Sequence, residues 1–131
     1  MTDPVTRRIL LVEDEPLIRM LAVDMLDALG FAATEAGSAR EALAIDDDAL
    51  NDLAGLMIDL GLPDQPGEEV ARRLRERRPD LPVILTTGAD VTAAHAALSG
   101  GGAVGILEKP YHFNDLHEAL GILPDAPRGV A

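Results

Sequence analysis

The chain of 131 residues contains no cysteine and no tryptophan, and only 2% of its residues are aromatic. The lack of cysteine excludes disulfides, thiolate metal sites and a cysteine nucleophile. The shortage of rings removes the stacking surfaces that proteins use to bind single-stranded nucleic acid. No apolar run reaches the roughly 18 residues of a membrane-spanning helix. Because Asp3 and Pro4 also do not suit a signal peptide, we expect a cytoplasmic protein that does not bind membranes.

Basic residues are scarce as well. The chain has 11 lysines and arginines against 23 aspartates and glutamates, which gives a formal net charge of −12. DNA is densely negative, so we expect no direct binding of nucleic acid, and partners that are proteins or cations. The hydrophobic content of 47% is typical of a folded protein, and the length suits one domain. Lys109 is the only lysine.

Apolar runs alternate along the chain with segments of helical periodicity. The predicted strands cover residues 8–12, 31–36, 53–60, 82–88 and 103–109. The first predicted helix lies within residues 13–31 and stops at Gly30, and the others cover residues 38–50, 68–78, 91–98 and 113–120. Strands that are each followed by a helix indicate a parallel sheet covered on both faces. We therefore predict an α/β fold: a doubly wound five-stranded parallel sheet with five helices, of the flavodoxin-like (βα)5 type.

Local signals support several of these helices. Pro16 and Gly30 are typical of the start and the end of the first helix, whose apolar stripe is predicted to comprise Ile18, Leu21, Met25 and Leu29. Ser38 and Glu41 have the spacing of a capping box. The arginines at positions 72, 73, 75, 77 and 78 are predicted to form a solvated helix face, with docking of an acidic partner as the alternative.

Chemically active side chains fall where the predicted strands end. The first strand ends at Glu13 and Asp14, the third at Asp59, the fourth at Thr86 and Thr87, and the fifth at Lys109. These ends lie on one edge of a parallel sheet, where ligand sites form. A buried carboxylate at this edge requires a partner. Several carboxylates together favour a divalent cation with oxygen ligands, Mg²⁺ or Mn²⁺, beside which a carboxylate can attack a phosphoryl group.

The segments at these strand ends resemble the motifs of response-regulator receiver domains of two-component signalling. The similarity spans residues 7–122 and rests on "LLVEDEP", "MIDLGLPDQPG", "PVILTTG" and "EKPY". It implies that Asp59 is the phosphoacceptor, that Thr87 and Lys109 bind the phosphoryl group, and that the Lys109–Pro110 bond is cis. It places the metal at Glu13, Asp14, Asp59 and Gly61. It assigns the shaping of the loops to Pro63, Gly67, Gly88 and Pro110.

One position departs from the family pattern. Receivers usually carry an aromatic residue where this chain has Ile106, so the usual rotation of that ring cannot operate here. A receiver subgroup, often single-domain, shares this departure. Gly61 and Ala89 flank the site with little bulk, which predicts a short-lived phosphoryl state. We also expect phosphorylation to reorder residues 88–106.

The resemblance implies a phosphoryl acceptor that takes its group from a histidine kinase or a histidine phosphotransfer protein. The surface of the fourth helix, fifth strand and fifth helix then binds a downstream protein target. The domain is expected at 7–122, between an N-terminal tail at 1–6 and a flexible C-terminal tail at 123–131, either as a stand-alone receiver or within a longer protein. A phosphorylation-independent interaction module is the alternative. A phosphohydrolase is disfavoured because Gly61 stands where such enzymes place a general acid.

Overall fold

The computed structural model describes residues 7–88 and 102–123 of the chain. Five parallel strands form one sheet in the order β2-β1-β3-β4-β5. They are β1 (Arg7–Val12), β2 (Phe31–Ala36), β3 (Leu53–Asp59), β4 (Val83–Thr87) and β5 (Val104–Glu108). The strand order reverses beside β1, so the carboxyl ends of β1 and β3 border a natural crevice.

Five helices accompany the sheet in this part of the chain. They are α1 (Pro16–Ala28), α2 (Ala39–Leu43), α3 (Asp47–Asp52), α4 (Gly67–Arg77) and α5 (Phe113–Ala119), and a 3₁₀ turn follows at Leu120–Ile122. The longest of these described helices, α1, has 13 residues, which is too short to cross a bilayer.

The sheet has a hydrophobic core on each face. Along β1, Leu10 and Val12 belong to the core beneath α2, α3 and α4, whereas Ile9 and Leu11 belong to the core beneath α1 and α5. This period of two places every side chain of β1 from Ile9 to Val12 in one core or the other. The structure therefore confirms the predicted doubly wound parallel sheet.

Helix α1 begins at Pro16 and is followed by Gly30, whose φ of 92° is the left-handed conformation that favours glycine. Its buried residues are Ala22 and Leu26. The predicted apolar stripe instead flanks this buried face, and Leu21 is 49% exposed. The predicted stripe is therefore wrong at Leu21, because the periodicity of large apolar residues does not identify a buried face that includes a small residue such as Ala22.

The segment predicted as one helix at 38–50 is divided into α2 and α3. Ser38 caps α2 by accepting a hydrogen bond from the amide of Glu41 at 3.1 Å, as predicted. Asp46 then accepts a hydrogen bond from the amide of Ala49 at 2.8 Å and begins α3. A second capping side chain within a helical pattern favours a new start over continuation, because it bonds an amide that the first helix would otherwise use.

The arginines of α4 and of its C-cap, Arg78, do not form one solvated face. Arg75 is 7% exposed, and both Arg75 and Arg78 donate hydrogen bonds to backbone carbonyl groups. Those carbonyl groups belong to Leu81, Ala103, Leu50 and Leu53. The predicted solvated face is therefore wrong at these two positions and fits Arg72, Arg73 and Arg77, which are exposed.

Several predictions concern residues outside the described ranges. They are the Ala-rich helix within 91–98, the flanking residue Ala89, most of segment 88–106, the N-terminal tail and the C-terminal tail beyond Leu123. Leu123 itself, the first residue of the predicted flexible tail, is buried in the core beneath α1 and α5. The tail prediction is therefore wrong at this residue, because Leu123 packs against Gly55 at the start of the sheet.

Candidate functional site

Asp59 is the last residue of β3 and only 6% exposed. Its Oδ1 accepts a hydrogen bond from the amide of Gly61 at 3.1 Å. Its Oδ2 lies 3.1 Å from the ammonium nitrogen of Lys109. Both carboxylate oxygens thus have a partner, and charged hydrogen bonds of this kind offset the cost of burying the group.

Glu13, directly after β1, is 3% exposed. Its Oε1 lies 3.1 Å from the Lys109 nitrogen, and its Oε2 accepts a hydrogen bond from the amide of Glu15 at 3.1 Å. Burial raises the pKa of Glu13, and the nearby charge of Asp59 acts in the same direction. The bonds from the Glu15 amide and from Lys109 oppose this increase without cancelling it.

Lys109 joins these two acids at the end of β5. Burial alone would lower the pKa of Lys109, but its bonds to Asp59 and Glu13 outweigh burial, so the pKa is raised and the ammonium stays charged. The backbone amide of Lys109 donates to the carbonyl of Thr87 at 2.8 Å. The Lys109–Pro110 peptide bond is cis, as predicted.

Asp14 is the third acid of the site. It is half-buried, and no described residue gives it a hydrogen bond or an ion pair. One oxygen from each of Glu13, Asp14 and Asp59 lies within 4.8 Å of the others. Three carboxylates that face a single ammonium leave negative charge uncompensated, so the donor set fits a hard divalent cation such as Mg²⁺ or Mn²⁺. Gly61 could add only its backbone carbonyl oxygen.

The two threonines at the end of β4 are both buried, Thr86 at 3% and Thr87 at 5% exposure. Thr86 is the register partner of Asp59, and its carbonyl accepts a hydrogen bond from the amide of Leu60 at 3.0 Å. Thr87 ends the strand beside the backbone of Lys109. The role of Thr87 as a phosphoryl ligand stays a prediction, and its place at this edge is compatible with it.

The loop after Asp59 is shaped chiefly by Gly67. A Cβ atom added there would overlap the backbone oxygen of Asp59 and lie 2.8 Å from the Cα of Leu60. Gly88, by contrast, has no described atom within 4 Å of an added Cβ, so packing does not explain a glycine there. Pro63 is exposed in the loop. Among the predicted loop-shaping glycines, Gly67 is thus the one that the geometry requires.

Two residues of this region were missed by sequence reasoning. Asp64 accepts hydrogen bonds from the amides of Ala39 and Arg40 at 3.1 and 3.0 Å, which tie the loop to the start of α2 and lower the pKa of Asp64. Arg19 donates to the carbonyl of Glu13 at 2.7 Å. A polar residue on an otherwise apolar stretch of α1 was the available signal for Arg19; for Asp64 there was none.

An apolar cavity of about 380 Å³ lies beside the acidic site. It is lined by Ile18, Leu21, Met25, Lys109, Pro110 and Tyr111. Burial raises the pKa of Tyr111 to about 12, and the nearby Glu13 charge contributes. On the sheet edge, Ile106 is 37% exposed.

Comparison with known proteins gives consistent relatives. The family model described as "Response regulator receiver domain" matches residues 9–121. The C4-dicarboxylate transport transcriptional regulatory protein DctD of Pseudomonas aeruginosa is 37% identical over 86% of this chain and 24% of its own length. The transcriptional regulatory protein PhoP of Escherichia coli K12 is 31% identical over 95% of this chain and 55% of its own length. This chain therefore spans from about a quarter to just over half of the length of these two relatives.

Solved structures agree with the family model. The response regulator receiver domain protein from Clostridium thermocellum has a TM-score of 0.79 and 28% identity, over 88% of this chain and 91% of that one. The receiver fold is a fold of signalling proteins and does not define a classical enzyme family. Together with the acids at the carboxyl ends of β1 and β3 and the lysine at the end of β5, these matches show that the chain belongs to the response regulator receiver domain family.

Proposed function

We propose that the protein accepts a phosphoryl group on Asp59 from a histidine kinase or a histidine phosphotransfer protein in the cytoplasm, with Mg²⁺ or Mn²⁺ as cofactor. The observation that supports this most directly is the placement of Asp59. It is a nearly buried carboxylate held by the only lysine of the chain, and two further acids lie within 4.8 Å. A downstream protein target would then read the altered surface around β5 and α5.

The chemistry follows from the atoms present. An oxygen of Asp59 attacks the phosphorus, and the bond from phosphorus to the donor's imidazole nitrogen breaks, with its electron pair returning to the ring. Lys109 already lies 3.1 Å from Asp59 Oδ2, so its ammonium can bond a phosphoryl oxygen once Asp59 carries the group as an acyl phosphate. A bound divalent cation would supply further positive charge for the phosphoryl oxygens.

The same site is poorly equipped for turnover of external substrates. Gly61, two residues after Asp59, brings no side chain that could donate or accept a proton. We therefore propose that the protein catalyses only its own phosphorylation and dephosphorylation. Gly61 also places no side chain over a phosphoryl group on Asp59, which is the basis for the expected short life of the phosphoryl state.

Intact mass after incubation with acetyl phosphate and Mg²⁺ tests the proposal. The wild type should gain one phosphoryl group, whereas Asp59→Asn and a metal-free sample should gain none, because the first lacks the nucleophile and the second lacks the cation. Circular dichroism establishes that each sample is folded. A folded wild type that gains nothing would overturn phosphorylation and leave the phosphorylation-independent interaction module.

We propose that exposed apolar side chains near the site form the docking surface for a protein donor. Leu17 and Leu21 of α1 are 63% and 49% exposed, one helical turn apart, and Leu21 lines the same cavity as Lys109. Because this apolar surface lies beside Lys109, which contacts Asp59, we assign the α1 surface to a helix of the phosphodonor protein.

We expect Leu17→Asn combined with Leu21→Asn to slow transfer from a phosphohistidine donor about tenfold, because apolar anchors contribute most of the binding energy at such contacts. Phosphorylation by acetyl phosphate should stay within about twofold of wild type. Ile106→Asn is the matched control: it removes an exposed apolar side chain from β5 and should leave transfer unchanged. Equal losses with both donors would show that the double variant damages the site rather than docking.

A further inference from the structure

We propose that Arg19 is a positioning residue that fixes the peptide between Glu13 and Asp14, so that Asp14 is oriented for cation binding before the cation arrives. This inference rests on the proposed function, because it assigns a role toward the cation that the proposed reaction requires. Arg19 lies on α1, in the turn after Pro16, and its side-chain hydrogen bonds with described residues are to Glu13 and Glu35.

The contacts of Arg19 are directed at the backbone of the acidic pair. Its Nη1 donates to the carbonyl oxygen of Glu13 at 2.7 Å, and its Nε donates to Oε1 of Glu35 at 3.1 Å. Glu35 belongs to β2, so one guanidinium bridges the edges of β1 and β2. The N–H donors of a guanidinium are coplanar and point in fixed directions. A guanidinium therefore holds a carbonyl group more rigidly than an ammonium can.

The consequence concerns Asp14 more than Glu13. Glu13 has its side chain fixed by Lys109 and by the amide of Glu15. Asp14 has no comparable partner among the described residues, so its direction depends on the backbone that carries it. The carbonyl held by Arg19 belongs to the peptide plane directly before Asp14. Without the bond from Arg19, this peptide plane would be free to move and would have to be ordered again whenever a cation binds. The cost of that ordering would weaken the affinity for the cation.

We expect the fold to depend little on this contact. Helix α1 is anchored by Ala22 and Leu26, which are buried beside the sheet, whereas the side chain of Arg19 is 23% exposed and that of Glu35 is 50% exposed. Exposed ion pairs of this kind contribute little to stability. Cation affinity and stability should therefore respond differently to substitution of Arg19.

The test is a Mg²⁺ titration of the unphosphorylated protein, followed by calorimetry and by the fluorescence of Tyr111, the only tyrosine in a chain without tryptophan. Arg19→Gln should raise the Kd for Mg²⁺ about 10- to 100-fold, the usual effect of losing an outer-shell partner. Arg19→Lys, which keeps the charge and loses the fork, should recover part of this loss. Glu35→Gln should give a smaller increase, since Arg19 keeps its bond to the Glu13 carbonyl.

Arg8→Gln is the matched control. Arg8 also donates to β2, to the carbonyl of Ala33 and the hydroxyl of Thr34, so its loss removes one positive charge from the same strand pair without touching Glu13. Its Kd should stay within about twofold of wild type, since only the long-range charge changes. A Kd of folded Arg19→Gln within twofold of wild type, or an equal loss in Arg8→Gln, overturns the inference, as does a wild type that binds no Mg²⁺.

Phosphorylation at saturating Mg²⁺ separates this inference from the proposed function. A wild type that binds Mg²⁺ and gains no phosphoryl group overturns the proposed function alone, because the titration still measures the role of Arg19. A wild type that is phosphorylated while Arg19→Gln binds Mg²⁺ normally overturns the inference alone.

Discussion

Gly67→Ala should lower the free energy of unfolding by about 2 to 3 kcal/mol, although alanine is the better helix former. The added methyl group would overlap the backbone oxygen of Asp59 and lie 2.8 Å from the Cα of Leu60. Backbone atoms at the end of a central strand cannot move aside as a flexible side chain can, so the overlap outweighs a helix propensity gain of about 1 kcal/mol. Urea unfolding followed by circular dichroism measures the change.

The same substitution should also impair the site, because any shift of the Asp59 backbone disturbs its bonds to Gly61 and Lys109. Gly88→Ala is the matched control. It adds the same methyl group at the edge of the sheet with no described atom within 4 Å, and it should leave stability nearly unchanged. If Gly67→Ala were as stable as Gly88→Ala, the result would contradict the close approach of α4 to the end of β3.

Arg75→Met should cost about 2 to 4 kcal/mol of stability. The guanidinium is buried and donates to the carbonyl oxygens of Leu81 at 3.0 Å and Ala103 at 2.9 Å, which precede β4 and β5. Methionine keeps an apolar stem of similar length but leaves those acceptors without their charged donor. Burial of the guanidinium costs desolvation energy, and the same burial lowers the pKa of Arg75. Because the substitution removes this cost together with the charge, we do not expect a larger loss of stability.

Arg72→Met provides the comparison on the same helix. Arg72 is exposed and pairs with Glu69 at 2.6 Å and Glu76 at 2.7 Å on the surface, where solvent screens the attraction. Its loss should change stability much less than that of Arg75. Arg75→Lys should lose at least as much stability as Arg72→Met, because one ammonium cannot donate to both carbonyl groups in the two directions that the guanidinium provides. Equal effects of Arg72→Met and Arg75→Met would show that Arg75 does not hold the two strands.

The acidic site itself could be predicted from the sequence. Glu13, Asp59 and Lys109 each follow an apolar run, and the rule that parallel strands end on one edge brings them together. The structure places the Lys109 ammonium 3.1 Å from both acids, in agreement. The prediction succeeded because it needed only the period of each strand and the direction of the sheet.

Features decided by contacts between distant segments could not be predicted in this way. Asp64 bonds amides 24 and 25 residues away, and Arg75 bonds the carbonyl of Ala103, 28 residues further along the chain. Neither leaves a periodic pattern, because an exposed helix arginine and a buried one have the same spacing. The division of α2 from α3 did have a local signal in Asp46, whose capping role competes with helix continuation.

The sequence by itself determined the five strands, the strand ends that carry the acids and the lysine, and the alternation that covers both faces of the sheet, since these follow from local periodicity and chain direction. Only the tertiary structure decided which face of α1 is buried, which arginines leave the solvent, and how Arg19 and Asp64 hold the backbone around the site. Those outcomes depend on the separation of packed elements and on unsatisfied backbone groups elsewhere in the chain, which no local segment encodes.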